Sequence, residues 1–317
     1  MNRDVELSRR RISRRRALAL GGTVGLGGSI AACSNSGAGV TTPTSTAAAD
    51  TTTAAGTGTA DAQLLALLDQ APRCVMAVEE TQGPYWFDVD SIRSDIREDR
   101  PGLELDLAMR VQDLTNCSAD GSATGVANAV VEIWHCDAGG VYSGFESGSV
   151  AADQGGPGGT PPAGGPQGGP GGQPPQGGPG GMVGPGMGGS GETSNGSYSV
   201  GDQEAATTDD GTYLRGAQTT DANGVVRFTT IFPGWYTGRT VHIHLKVHID
   251  KKTVLTTQLF FDDALTDEVF STVSPYTDHT GRDTHNDTDG IFDKAGLLAT
   301  SRQSDRMLAA INLGIDV

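Results

Sequence analysis

The sequence predicts an all-β fold: a single β-sandwich with one short N-terminal helix and a long disordered insertion rich in glycine and proline. Two observations carry that expectation. Stretches with β-branched enrichment or alternating apolar and polar residues recur between turn signals, at Leu103 to Leu114, Ala127 to Cys136, Val225 to Ile231, Val241 to Ile249 and Thr253 to Phe261. Helical spacing is confined to Asp61 to Asp69, where leucines fill positions 64, 65, 67 and 68. With the insertion set aside, about 200 residues remain, enough for one sandwich with its own core.

Residues 1–32 read as an address. Ser13-Arg14-Arg15-Arg16-Ala17-Leu18 precedes a glycine-rich apolar stretch that ends in Ile30-Ala31-Ala32-Cys33, resembling a twin-arginine signal joined to a bacterial lipoprotein cleavage box. The stretch is too short and too rich in glycine to span a membrane. Cys33 is then the lipidated residue, and the protein is expected to be exported and held at a membrane surface, or to be extracellular or periplasmic. Residues 33–60, rich in Thr, Ala, Ser and Gly, suit a flexible tether. The helix at 61–69 opens the folded domain, which runs to residue 317. Within it, Asp221-Ala222-Asn223-Gly224 suits a hairpin turn. Residues 151–200 hold 20 of the 47 glycines and 9 of the 15 prolines, too few apolar groups to build a core. Glycine does not recur at every third position, so the segment is not collagen-like. A disordered insertion over 151–205 is expected, between a strand ending near Tyr142 and one starting near Thr212. It is tolerable because loop closure costs only about 0.6 kcal/mol per doubling of length.

The most informative word is Phe232-Pro233-Gly234-Trp235-Tyr236-Thr237-Gly238-Arg239-Thr240-Val241-His242-Ile243-His244, thirteen residues with a tyrosine, an arginine and two alternating histidines. Alternate side chains of a strand share a face, so His242 and His244 project together with about 7 Å between their Cα atoms. Two imidazoles can then converge on one ion. The same alternation would equally show both to solvent on a half-buried strand, and His248, of the same parity, is expected to be exposed.

A second word, Val130-Val131-Glu132-Ile133-Trp134-His135-Cys136-Asp137-Ala138-Gly139-Gly140-Val141-Tyr142-Ser143-Gly144-Phe145, runs a strand into a turn that presents Tyr142. Together with Thr212-Tyr213-Leu214-Arg215-Gly216, Thr220 to Gly224 and Arg227 to Tyr236, these words resemble the intradiol ring-cleaving dioxygenases over roughly residues 74 to 292, the insertion left out. The resemblance implies a prealbumin-like sandwich holding one iron(III) per chain through Tyr142, Tyr236, His242 and His244, with dioxygen as co-substrate. The chemistry of the set agrees: a phenol with a pKa near ~10 gives up its proton only to a hard, highly charged ion. A site of two histidines and one carboxylate would suit ferrous iron instead.

The resemblance also implies a substrate, a small aromatic diol of the catechol type, opened between its hydroxyls to a muconic acid. Tyr236 and a hydroxide would take up its two protons. Arg239 falls where the family keeps a cation beside the substrate, suited to stabilise charge on the ring oxygens. Gln258 matches a supporting glutamine behind the ligands, and Pro84 and Tyr85, in Gly83-Pro84-Tyr85, match a strip that walls the substrate pocket. His279 and His285 are expected in loops. Only Thr237 and Gly238 separate Tyr236 from Arg239, fewer than in the catechol and protocatechuate enzymes of the family, which predicts a more open pocket that accepts bulkier catechols. The alternative is a non-enzymatic prealbumin-like cell-surface binding module, which needs no Tyr/Tyr/His/His set. A hydrolytic zinc site would want a carboxylate base beside the histidines, and the motif has none.

Residues 1–32 carry seven arginines and two acids, so the remainder has 15 basic and 36 acidic residues and a formal net charge of −21. That balance argues against nucleic-acid binding and favours neutral catechols over polycarboxylates. Past Cys33 come Cys74, Cys117 and Cys136; in an oxidising compartment an odd count permits one disulfide and one free thiol. Cys74 and Cys117 are the expected pair, since Cys136 is placed mid-strand near the metal. The sequence does not set the oligomeric state.

Overall fold

Strand β1 (Glu104–Asp113) is the hub of the largest of three sheets. The computed structural model describes residues 54–115, 117, 118, 123–147, 149 and 190–317. The expected signal, Cys33, most of the expected tether and residues 151–189 of the insertion lie outside them. Among the described residues the fold is β-rich, with eleven strands and two α-helices, and no helix is long and apolar enough to cross a membrane.

In chain order the strands after β1 are β2 (Thr124–Gly125), β3 (Val130–Trp134), β4 (Ser190–Asn195), β5 (Val200–Ala205), β6 (Arg215–Thr219), β7 (Val225–Ile231), β8 (His242–Ile249), β9 (Lys252–Phe260), β10 (Ala299–Arg302) and β11 (Arg306–Ile315). One sheet runs β10-β11-β1-β2, with β7 also paired antiparallel to β1, and β11 lies parallel to β1 along its whole length. A second runs β6-β3-β8-β9. Both sheets feed one apolar cluster: Leu105, Leu107 and Met109 from β1 and Ile311 and Leu313 from β11 pack with Ile133 from β3 and Ile243, Leu245 and Val247 from β8.

Four features depart from the sequence expectations. Helix α1 spans Ala54–Gln70, so the last part of the expected tether is helical. It lays Leu64 and Leu68 on Ala108, Leu308 and Ala310, while the Asn312 side chain donates to the Leu68, Ala71 and Pro72 carbonyls at the helix end. A second helix, α2 (Asp263–Thr272), follows β9 and is opened by Asp262, whose carboxylate accepts from the Ala264 and Leu265 N–H groups. The last part of the expected disordered insertion is ordered: β4 and β5 pair as a hairpin. And His248 is buried, because the face of β8 that carries it is covered.

That cover is polar and tightly paired. Lys246 Nζ sits 3.4 Å from the centre of the Trp86 ring and 2.8 Å from Asp202 Oδ2 on the hairpin. Trp86 Nε1 and His248 Nε2 both donate to Glu132 Oε2, at 3.1 and 3.2 Å. A disulfide joins Cys74 and Cys117, with Cα atoms 6.0 Å apart. Cys136 is a buried free thiol, but it lies two residues beyond the end of β3 rather than in mid-strand.

The hairpin pin is testable. Asp202→Ala leaves the Lys246 ammonium buried without its counter-charge and should cost about 2 to 3 kcal/mol of stability in urea unfolding. A change below about 0.5 kcal/mol, the range of ordinary surface substitutions, would show that other contacts hold the hairpin.

Candidate active site

The outer face of β8 carries His242 and His244 at its start, both almost wholly buried. In the register of the sheet His244 faces Trp134 on β3 and Gln258 on β9. The Trp134 indole stacks on the His244 ring, centres 5.0 Å apart and planes 5° off parallel, which fixes the imidazole. His242 Nδ1 donates to the Thr240 carbonyl at 2.6 Å, so its Nε2 carries a lone pair and no hydrogen.

Tyr142 reaches the same spot from the turn after β3. Asp137 shapes that turn by accepting from the Gly139 and Val141 N–H groups, and Arg215 clamps it, donating from Nε to Ser143 Oγ and from Nη2 to the Ser143 carbonyl, both at 2.8 Å. Tyr236 arrives from the Pro-Gly-Trp-Tyr word. There Gly234 passes so near the Asp137 carbonyl that a Cβ would overlap it, and this close approach brings the two tyrosine turns together.

The four polar atoms converge. His242 Nε2 lies 3.4 Å from Tyr142 Oη, 3.2 Å from Tyr236 Oη and 3.1 Å from His244 Nε2. One lone pair cannot serve three donors, and His244 Nδ1 is buried with no hydrogen-bond partner among the described residues. Neither His244 tautomer therefore satisfies the cluster: a hydrogen on Nε2 is a third competitor for one lone pair, and a hydrogen on Nδ1 is orphaned and leaves two imidazole lone pairs face to face, an arrangement that a central cation would relieve. Burial pushes both tyrosine hydroxyls above the ordinary phenol range and both histidines well below theirs, so without a cation all four groups are neutral. Among the described residues no three His, Cys, Asp or Glu side chains gather for a metal; this centre would hold one only by recruiting the phenols.

The remaining expected residues lie around it. Tyr85 stacks on Tyr142 with centres 4.6 Å apart. Gly83, just before Pro84, has φ +70, and a Cβ there would come within 3.1 Å of His244 Cε1, so the strip meets the histidine edge on. Arg239, part-buried, closes a tight turn with Tyr236 through its N–H to the Tyr236 carbonyl at 3.2 Å. Its Nη2 donates to Gln258 Oε1 at 2.6 Å, and Gln258 Nε2 to the Thr81 carbonyl at 3.0 Å. His279 is held away from the centre, donating from Nε2 to the Trp235 carbonyl; His285 pairs with Arg282.

Sequence reasoning missed Asp289, whose Oδ2 accepts from Arg239 Nε at 3.0 Å, and Trp134 as the support of His244. It also missed Glu80, a half-buried carboxyl near Arg239 that burial raises to about 8. Strand alternation pointed to Trp134; nothing in the sequence linked Asp289 to Arg239.

The fold, not the centre alone, has counterparts. It is similar to the solved intradiol ring-cleavage dioxygenase of Tetranychus urticae, at 28% identity over 77% of this chain and 95% of that one, with a TM-score of 0.55. The chain resembles the intradiol ring-cleavage dioxygenases. Its kind is therefore that of a ring-cleaving dioxygenase. The chain is also similar to the dioxygenase domain of a dioxygenase carbohydrate-binding protein fusion from Streptomyces sp. SirexAA-E (20% identity, 77% of this chain and 99% of that one, TM-score 0.44). A further likeness is to 3-chlorocatechol 1,2-dioxygenase from Rhodococcus opacus 1CP (16%, 80% and 77%, TM-score 0.40). No protein-family model and no curated protein matches the dioxygenase.

The buried imidazoles make a prediction for the metal-free dioxygenase. His135, held between the Cys136 carbonyl and Thr230 Oγ1 and lowered by burial to about 4, should stay neutral with His242 and His244 as pH falls through 6.5 to 5. Ring signals in NMR check this; protonation of any of the three near pH 6.5 would contradict the burial argument.

Proposed function

We propose that this dioxygenase uses one iron(III), held by Tyr142, Tyr236, His242 and His244, to open catechol-type rings between their two hydroxyls, giving muconic acid products. The observation that carries the proposal is the convergence of two phenols and two neutral imidazoles on one buried spot, where hydrogen bonds among them cannot satisfy all four. Two tyrosinates with two imidazoles suit the ferric state, and when bound the ion supplies the Lewis acidity that holds a deprotonated catechol and commits its ring to dioxygen. The prealbumin-like sandwich, export and anchoring through Cys33 belong to the same proposal.

This chain's own residues do the rest. Tyr236, 8% exposed where Tyr142 is wholly buried, is the more open of the two phenols. Burial makes its oxygen a strong base once ionised, so it is placed to take a proton from an incoming catechol hydroxyl. Tyr85 and Pro84 wall one side, and the aromatic packing of Tyr85, Trp86, Trp134 and Phe145 around Tyr142 keeps water out. Arg239 supplies fixed positive charge for the oxygens of the opening ring, worth most in such a dry site.

Four variants test the ligand set and a fifth the cation. His242→Ala and His244→Ala should each lose bound iron, and Tyr142→Phe and Tyr236→Phe should weaken or shift the visible colour. Arg239→Ala should keep iron and colour while losing about 100-fold or more in turnover. Full iron binding in both histidine variants, measured by elemental analysis, would remove the proposal. For the anchor, Cys33→Ser should abolish lipid labelling of the expressed protein; continued labelling would refute it.

A further inference from the structure

We propose that Asp289 is a positioning residue for Arg239, setting the guanidinium so that one of its ends faces the substrate; the inference rests on the ring-cleavage function proposed for this centre. A guanidinium has five N–H donors in a fixed plane, so two acceptors on separate elements fix its orientation. Here one is Gln258 Oε1 on β9, at 2.6 Å from Nη2, and the other is Asp289 Oδ2 in the loop beyond α2, at 3.0 Å from Nε. Nη1 makes no hydrogen bond to any described residue, which leaves its two hydrogens for a ligand.

Asp289 is itself immobilised. Its Oδ2 also accepts from the Thr240 N–H at 2.8 Å, and Oδ1 from the Ile291 N–H at 2.8 Å. The carboxylate is 1% exposed and the Arg239 side chain 16%. The two acceptors are not equivalent. Gln258 is neutral, whereas Asp289 supplies a charge-assisted bond and ties Arg239 and the next residue's backbone to one group. An amide at 289 has one acceptor oxygen in place of two, so it must orphan either the Ile291 N–H or the Arg239 and Thr240 donors.

A double-mutant cycle on the iron-loaded protein, with catechol as substrate, separates positioning from a merely structural role. Asp289→Asn should lower kcat by about 10- to 100-fold, the loss of one hydrogen bond to a charged group, with iron content unchanged. Added to Arg239→Ala, it should lower kcat less than about twofold further, since coupled residues do not add. Asp289→Glu, which keeps the charge but moves it, should behave the same way and serves if the asparagine variant does not fold. Losses that multiply in the double variants, full activity in Asp289→Asn, or loss of iron would each overturn the role. A readout without turnover accompanies these: the Arg239 Nε–H should be protected from solvent exchange in the wild type and unprotected in Asp289→Asn, and equal protection in both would also overturn it. A wild type that turns over no catechol yet shows this difference would count against the proposed function and leave the positioning of Arg239 standing.

Discussion

Strand β8 must keep a row of imidazole and ammonium groups dry, and the architecture around it answers to that constraint. Its inner face, Ile243, Leu245 and Val247, belongs to the main core. Its outer face, His242, His244, Lys246 and His248, would on an ordinary half-buried strand meet water. Every one of these four is instead buried, and each requires a partner, since a buried polar group without one costs several kcal/mol at the upper end. In the far half Asp202 supplies a counter-charge for Lys246, and Glu132 accepts a hydrogen bond from His248. In the near half the histidines have each other and two phenols, a set that hydrogen bonds alone leave unsatisfied.

The covering elements follow from this. The 80–86 strip and the β4–β5 hairpin both lie over the outer face, joined to Lys246 by Trp86 and Asp202 and to each other by Gln82, which donates to the Gln203 carbonyl. Two turns far apart in sequence, around Asp137 and Gly234, dock together and so deliver Tyr142 and Tyr236 to one point. Rigid supports stand behind each contact: Trp134 behind His244, Arg215 behind the Tyr142 turn, Asp289 and Gln258 behind Arg239. A site held to such geometry needs this outer layer, because small displacements of donor groups forfeit much of their effect.

Much of the centre was legible in the sequence because strand alternation alone puts His242 and His244 on one face, and a Gly-rich turn after β3 has to present Tyr142. The same rule gave the wrong environment for His248: parity says which face a side chain shares, not what covers that face. β11 went unread although it lies beside β1 in the largest sheet. Buried on one face by the core and on the other by α1, its Arg306-Met307-Leu308-Ala309-Ala310-Ile311 run lacks the alternation that marks a half-buried strand. Helix α2 carried a start signal in Asp262 that was overshadowed by the strand before it. The hairpin at 190–205 was hidden by the composition of the glycine-rich residues that precede it, and Asp289 by its distance in sequence, fifty residues from Arg239.

The central claim, that two phenolates and two imidazoles form one ferric centre open to a catechol, is tested most directly by the visible spectrum of the iron-loaded protein before and after catechol is added without oxygen. The account predicts a red-brown protein whose phenolate-to-iron band changes when catechol is added. An iron-loaded protein that is colourless, or whose band is untouched by saturating catechol, would contradict it.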